Sequence, residues 1–246
     1  MHSKIVAELL ENNQLTDDIY QLIFEVKNSG EWSFIPGQYI LISKLFEGKM
    51  VRRAYSISSV CEDLPKLELT VRCYPNGKMS NYLTMMELGH NLELEGAFGE
   101  FNVDRLRGKQ ACLIGIGCGI APLKSMVTFW CQNKMLGIKA DLFFGNRFLN
   151  SIPYHNYFEN CMSENLAFNY VPCITRPEIE NFKYKGRVNE IMDEMNYEMG
   201  DKEFFISGTM EMVKDMTDLI IKKGGKKESI YFENIYPFTK KDSNII

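Results

Sequence analysis

The 246-residue sequence predicts an antiparallel β-barrel over residues 1–104, followed by an α/β domain with a parallel sheet over residues 108–246. Three observations predict it. Up to about residue 103, short segments of strand character recur between Gly, Pro and Asn turn signals: Tyr20 to Val26, Tyr39 to Ser43, Leu67 to Tyr74 and Asn91 to Glu95. From Lys109 onward, apolar strands alternate with helical stretches, the strands being Ala111 to Ile114, Ala140 to Phe144, Ala167 to Val171 and Glu203 to Ile206. A glycine turn, Gly115 to Pro122, separates the first of these strands from an amphipathic helix. The pattern changes in Asp104-Arg105-Leu106-Arg107-Gly108, with no long linker.

In the barrel half, Arg53-Ala54-Tyr55-Ser56-Ile57-Ser58-Ser59 reads as an extended run. Successive side chains of a strand point to opposite faces, so Arg53 and Tyr55 share one face and Ala54 and Ser56 the other. A planar ring system with a phosphate tail suits that pattern, with Tyr55 against the ring and Arg53 reaching the phosphate through its fork of donors. An ordinary half-buried strand with an outward arginine is the alternative. Further on, Gly77 to Leu83 reads as a turn into a short helix, with Ser80 as its cap and backbone N–H groups available to an anion.

The glycine turn follows the apolar run Ala111-Cys112-Leu113-Ile114, which suits a buried parallel strand. Glycines at 115, 117 and 119 admit a ligand close to the backbone. Pro122 fits the first helical turn, and Leu123, Met126, Val127 and Trp130 form an apolar stripe. A helix N-terminus behind such a turn attracts phosphate. The spacing differs from G-x-G-x-x-G, and a plain strand-turn-helix connection is the competing reading.

Composition bounds the function. A hydrophobic content of 45 % excludes a largely disordered chain, and a net charge of −4 argues against nucleic acid as a partner. No apolar run approaches the roughly 20 residues that span a bilayer, and no signal-peptide core follows Met1-His2-Ser3-Lys4, so a soluble cytoplasmic protein is expected, without a membrane partner. The seven cysteines, at 61, 73, 112, 118, 131, 161 and 173, lack the close pairs that bind zinc or iron-sulfur clusters, and His2, His90 and His155 are widely separated. No metal site is expected. Lys222, Lys223, Lys226 and Lys227 flank Gly224-Gly225 as a solvated helix end or a docking patch for an acidic carrier.

Over nearly its whole length the chain resembles the ferredoxin-NADP reductase family. The resemblance is carried by Leu15 to Tyr20, Phe34-Ile35-Pro36-Gly37-Gln38-Tyr39, Arg53 to Ser56, Gly77 to Leu83 and Gly96-Ala97-Phe98-Gly99-Glu100-Phe101. In the second half it is carried by Gly115 to Pro122, Phe144-Gly145-Asn146-Arg147, Thr175-Arg176, Gly186-Arg187-Val188 and Ser207 to Val213, which includes Gly208 and Met210. Two departures stand out: Ser207 where many relatives have cysteine, and Ala97 where they have proline. Cys118 replaces the usual threonine of the glycine loop.

The resemblance implies FAD in the barrel. Its pyrophosphate would lie between Arg53 and the backbone of Gly77, Lys78, Met79 and Ser80, while backbone groups of Val71, Arg72 and Cys73 line its polar edge. Ser56 would donate a hydrogen bond near the flavin N5. Gly117, Cys118, Gly119, Pro122, Gly208 and Met210 would hold a pyridine nucleotide. Arg176, assisted by Arg147, would meet a 2′-phosphate, which favours NADPH and leaves NADH possible. Ser207 lies close to the nicotinamide, Glu233 is a candidate for proton relay, and Tyr236 is a candidate for gating the flavin or nicotinamide.

The expected activity is hydride exchange between NADPH and FAD, with single electrons passed to or from a separate ferredoxin or flavodoxin. An NADH-dependent reductase component of an oxygenase is the alternative, since Tyr74 to Leu83 and Tyr231-Phe232-Glu233 look like that branch. A non-catalytic flavin relay subunit is the third reading.

Overall fold

A computed structural model describes residues 4–27, 30, 32–133 and 137–235. The first half builds one antiparallel sheet from β1 (Lys4–Gln14), β2 (Ile19–Lys27), β3 (Tyr39–Phe46), β4 (Lys49–Ser56), β5 (Lys66–Arg72) and β6 (Asn91–Phe98), with helix α1 (Lys78–Thr84) between the last two strands. The order is β4-β3-β6-β1-β2-β5. Its edges meet where the chain leaves β4: Ile57 bridges to Leu69, and Ser58 N donates to Glu68 O at 2.8 Å. The sheet is thereby curled into a barrel.

Period-two alternation fills it. Ile5, Ala7 and Leu9 of β1 and Leu22, Phe24 and Val26 of β2 face inward to meet Ile40, Ile42, Leu69 and Val71. The Trp32 indole N–H donates to Gly96 O at 2.8 Å, which satisfies its polar edge inside this core. β1 is a strand the alternation did not reveal. Its run KIVAELLENNQ mixes Leu with charged residues, and a bulge between Leu9 and Glu11 breaks the period.

The second half is a parallel sheet of β7 (Gln110–Ile116), β8 (Lys139–Asn146), β9 (Phe168–Ile174), β10 (Glu203–Gly208) and β11 (Ile230–Asn234), in the order β11-β10-β7-β8-β9. Helices α2 (Ile120–Gln132), α3 (His155–Glu164), α4 (Val188–Glu194) and α5 (Met210–Lys222) cover both faces. Leu113, Phe144 and Phe205 pack with Leu123, Met126 and Trp130 of α2 and Phe158 of α3. Ile114, Phe143 and Phe204 pack with Ile191 of α4 and Val213 and Met216 of α5 on the other face. Burial on both sides explains why these strands read as continuous apolar runs. The chain runs from β7 out to β9, then returns to the far side of β7 for β10 and β11. The strand order therefore reverses between β7 and β10, which leaves a crevice at their carboxyl ends.

Among the described residues no helix is long and apolar enough to cross a membrane. The lysine run after α5 is partly neutralised by its own chain, Lys223 pairing with Asp193 at 2.7 Å and Lys226 with Asp201 at 3.5 Å.

Candidate active site

The crevice is a cleft of about 1220 Å³ bounded by both halves. Its floor is the glycine loop. Gly117, at φ +55°, takes the left-handed conformation that a β-carbon disfavours, and residues Gly117–Gly119 make a single 3₁₀ turn into α2. Gly119 abuts β10 so closely that a β-carbon would lie 2.3 Å from Ser207 O. Pro122 is buried in the first turn of α2, as its sequence position implied. The loop presents the N-terminus of a 13-residue helix to the cleft, a favourable seat for phosphate.

The ends of β8 and β9 supply cations. Arg176 N donates to Arg147 O at 2.8 Å, so the two arginines stand side by side on the cleft wall with both side chains exposed. Neither guanidinium makes an ion pair or side-chain hydrogen bond among the described residues. Arg187 lines the same wall just before α4. The Asn146 Nδ2 group is buried without a partner and its residue also lines the cleft.

From the barrel, Arg72 reaches over the glycine loop. Its guanidinium pairs with Asp18 at 2.7 Å, and Nη1 lies 3.3 Å from the position of a β-carbon on Gly117. Tyr74 sits beneath it, with the guanidinium 5.8 Å from the ring centroid. Burial pushes the Tyr74 phenol up to about 12, and burial likewise raises the half-buried Cys118 thiol against the pull of Arg72. Tyr55 of β4 belongs to the same group: desolvation raises its pKa, Arg53 opposes the rise, and Cys118 and Tyr74 reinforce it.

Among the described residues the two sheets are joined by a side-chain hydrogen bond. Ser56 Oγ, at the end of β4, donates to Glu233 Oε2 of β11 at 2.9 Å. Desolvation is the largest influence on Glu233 and lifts its pKa from 4.5 to about 7, while the Ser56 and Ser207 hydroxyls pull it down. Ser207 stands in register beside Glu233 in the β10–β11 ladder. Its hydroxyl is buried without a hydrogen bond of ordinary geometry among the described residues.

The structure distributes the remaining expected positions among core, surface and cleft. Met79 points its side chain into the barrel core, because α1 must bury one face on the sheet, and its first-turn backbone N–H, without a partner inside the helix, is the group left for the expected contact. Ser80 is no N-cap: Gly77 holds that position, and Ser80, buried in the first turn, donates to Gly77 O and accepts from Tyr74 N, each at 3.2 Å. Val71 is buried in the barrel core and offers a ligand no side chain. The Arg72 side chain, held by Asp18 of the barrel half, also reaches over the glycine loop of the second half. Met210 is 53 % exposed and outside the cleft, since it follows the cap residue Thr209 at the start of α5; Gly208, Thr209 and Met212 line the cleft instead. Lys78 pairs with Glu47 at 2.6 Å. Arg53 donates to Arg52 O at 2.8 Å, and Ala54 is exposed beside it. Tyr236 lies outside the described residues.

Sequence reasoning missed Asp18 and the cleft-facing role of Tyr74. It also missed a buried pair at the seam, Lys124 of α2 with Glu68 of β5 at 3.0 Å. The one available signal for the last was a lysine interrupting the apolar stripe after the glycine turn.

Residues 6–103 match the oxidoreductase FAD-binding domain family, and residues 113–218 match the oxidoreductase NAD-binding domain family. The chain is 24 % identical over 228 residues to the toluate 1,2-dioxygenase electron transfer component of Pseudomonas putida, covering 92 % of this chain and 66 % of that protein. It is 30 % identical over 155 residues to ferredoxin-NADP reductase B of Sorangium cellulosum, covering 62 % of each. The chain thus spans less than two thirds of the length of these curated relatives. Among solved structures, a ferredoxin NADP+ reductase from Neisseria gonorrhoeae with bound FAD and NADP superposes with a TM-score of 0.80 at 21 % identity, covering 94 % of this chain and 98 % of that one. The cytochrome P450 reductase GcoB of Amycolatopsis gives 0.84 at 21 %, covering 96 % and 71 %. With the six-stranded barrel, the reversed parallel sheet and matches to both domain families, the chain belongs to the ferredoxin-NADP reductase family of FAD- and NAD(P)-binding flavoprotein oxidoreductases.

Proposed function

We propose that the chain takes two electrons from NADPH and delivers them singly to a separate ferredoxin or flavodoxin, or runs that transfer in reverse. The observation that carries this reading is the Ser56–Glu233 contact at 2.9 Å, where the FAD-binding strand meets the last strand of the nucleotide sheet. FAD fits the residues present: β4 offers Arg53, Tyr55 and Ser56, and the first N–H groups of α1 have no partner within the helix. The buried Ser207 hydroxyl, close enough to influence Glu233 but without a hydrogen bond of ordinary geometry among the described residues, marks a polar position suited to a ligand. Bound FAD supplies two-electron acceptance and one-electron release. The protein's own part is to orient and to exchange protons. Tyr55 offers a ring face, Ser56 directs a hydroxyl, and Glu233, its pKa lifted by burial to about 7, takes up and gives back a proton near neutral pH.

The cleft suits a pyridine nucleotide with its pyrophosphate at the α2 N-terminus and on Arg72. Arg147 and Arg176, side by side with no ion-pair partner among the described residues, favour the extra phosphate of NADPH over the hydroxyl of NADH. A second reading, an NADH-dependent reductase serving an oxygenase, is favoured by the dioxygenase component among the relatives. Anaerobic stopped-flow reduction of the FAD-loaded protein by each nucleotide separates the two. Faster and tighter bleaching by NADPH is expected, and a clear preference for NADH would install the second reading.

A further inference from the structure

The seam between the domains is polar where an apolar contact would suffice. Lys124, one turn into α2, donates from Nζ to Ser58 O at 3.1 Å and to Glu68 Oε2 at 3.0 Å. Glu68 Oε1 accepts from Tyr154 OH at 2.9 Å. The Thr70 and Tyr154 hydroxyls are 2.7 Å apart, and Thr70 Oγ1 donates to Ser58 Oγ at 3.0 Å. Beside them Ser125, next to Lys124, donates to Ser59 O. The ion pair is nearly dry, with 9 % and 12 % of the two side chains exposed.

Two features of this network run against stability. A buried ion pair commonly holds a fold no better than apolar residues of the same size, because both charges lose water. Tyr154, at φ +61°, adopts a backbone conformation unfavourable to any residue with a β-carbon, and it brings its hydroxyl to Glu68 and Thr70. Both unfavourable features converge on one spot, and what that spot joins is informative. Ser58 is two residues beyond Ser56, which contacts Glu233, and Lys124 is one turn beyond Gly119 of the nucleotide loop. Apolar contacts have no direction and let a helix slide or rotate, whereas hydrogen bonds fix an orientation.

We infer that Lys124, Glu68 and Tyr154 are positioning residues, whose network fixes α2 against β5 and the Ser58 segment that follows β4, and so sets how a nucleotide on the glycine loop meets Ser56 and Glu233. The inference rests on the function proposed above. None of the three contacts the Ser56–Glu233 pair; they act through Ser58 and the first turns of α2.

The test compares the FAD-loaded wild type with Lys124→Met, the double variant Lys124→Met/Glu68→Met, and Tyr154→Phe. Each is measured for melting temperature, flavin content, nucleotide affinity by calorimetry, and bleaching rate at saturating nucleotide. Lys124→Met alone leaves the Glu68 carboxylate buried without its cation, so its melting temperature falls. The double variant removes both charges and recovers the wild-type melting temperature. With stability restored and nucleotide affinity within about twofold of wild type, its bleaching is expected to stay about tenfold or more slower, because small misplacements of reacting groups cost rate and not affinity. A wild-type rate in the stable double variant overturns the inference, as does a slowing fully explained by weaker nucleotide binding. Tyr154→Phe keeps the ring and removes only the hydroxyl, so it decides the matter even where the double variant does not fold: about threefold slower bleaching at unchanged affinity is expected, and an unchanged rate overturns the inference. Wild-type protein that neither NADPH nor NADH bleaches would remove the proposed function itself, and this inference with it.

Discussion

Ser56 Oγ donates to Glu233 Oε2 across 2.9 Å, which ties the end of β4 in the barrel to the edge strand of the parallel sheet. Burial of the Glu233 carboxyl, opposed by this contact, governs how stability depends on pH. Burial lifts the Glu233 pKa from 4.5 to about 7, so between those values the folded chain binds a proton that the unfolded chain releases. Stability from this group is therefore fully present below about pH 4.5 and declines as pH rises toward 7, opposite in sign to an ion-paired carboxylate. At about 1.4 kcal/mol per pH unit the whole decline is on the order of 3 kcal/mol. Glu233→Gln should remove that slope and leave the protein more stable than wild type at pH 8, as read by urea denaturation at several pH values. Ser56→Ala, which deletes a donor to the ionised form, should move the transition to higher pH. A Glu233→Gln curve parallel to that of wild type would refute this account.

Elements with one dominant period were legible in the sequence. The two-residue alternation of β2 and the apolar runs of β7, β8 and β10 follow directly from burying one face or both. β1 was not, because its bulge shifts the register in mid-strand. The site was legible only in part, as separate residues. Ser56 and Glu233 are 177 positions apart, and no local pattern states that they touch. Nothing in the local sequence joins Lys124 to Glu68, 56 positions away, and only the packing of α2 on β5 makes them a buried pair. Met210 lies away from the expected contact because a short motif names residues without fixing the helical phase, which turns its side chain to solvent.

Arg176 should control the choice of nucleotide. It stands exposed beside Arg147 at the strand ends. A charge-assisted hydrogen bond to phosphate contributes about 1.5–3 kcal/mol, so Arg176→Ala should weaken NADPH binding roughly 10- to 100-fold and change NADH affinity less than about threefold. Calorimetric titration with both nucleotides reads the split. Equal losses for the two would show that Arg176 does not meet the 2′-phosphate.

Arg72 should act on both nucleotides alike. Its pair with Asp18 holds the guanidinium over Gly117, where a pyrophosphate common to NADH and NADPH would lie. Arg72→Ala should weaken both by a similar factor, about tenfold or more, and weaken ADP more than AMP, while flavin content stays unchanged. Loss of flavin without loss of nucleotide affinity would return Arg72 to the flavin edge that the sequence suggested.

Gly119 is confined by what lies behind it. A β-carbon there would come within 2.3 Å of Ser207 O and 2.8 Å of Ile235 Cδ1, and the first of these is backbone in the middle of a parallel sheet. The isoleucine can turn aside; the carbonyl of a ladder strand flanked by β7 and β11 cannot. Gly119→Ala must therefore push the loop and the start of α2 away from β10, at about 1–3 kcal/mol for overpacking a close contact. The same movement carries the α2 N-terminus away from Ser207 and Glu233, so nucleotide affinity should fall together with the melting temperature. Gly200→Ala is the control, because nothing lies within 4 Å of its added β-carbon and its backbone lies outside the left-handed region. That variant should stay within about 0.5 kcal/mol of wild type. If Gly119→Ala melted at the wild-type temperature and bound nucleotide normally, the loop would have room that its contact with Ser207 denies it.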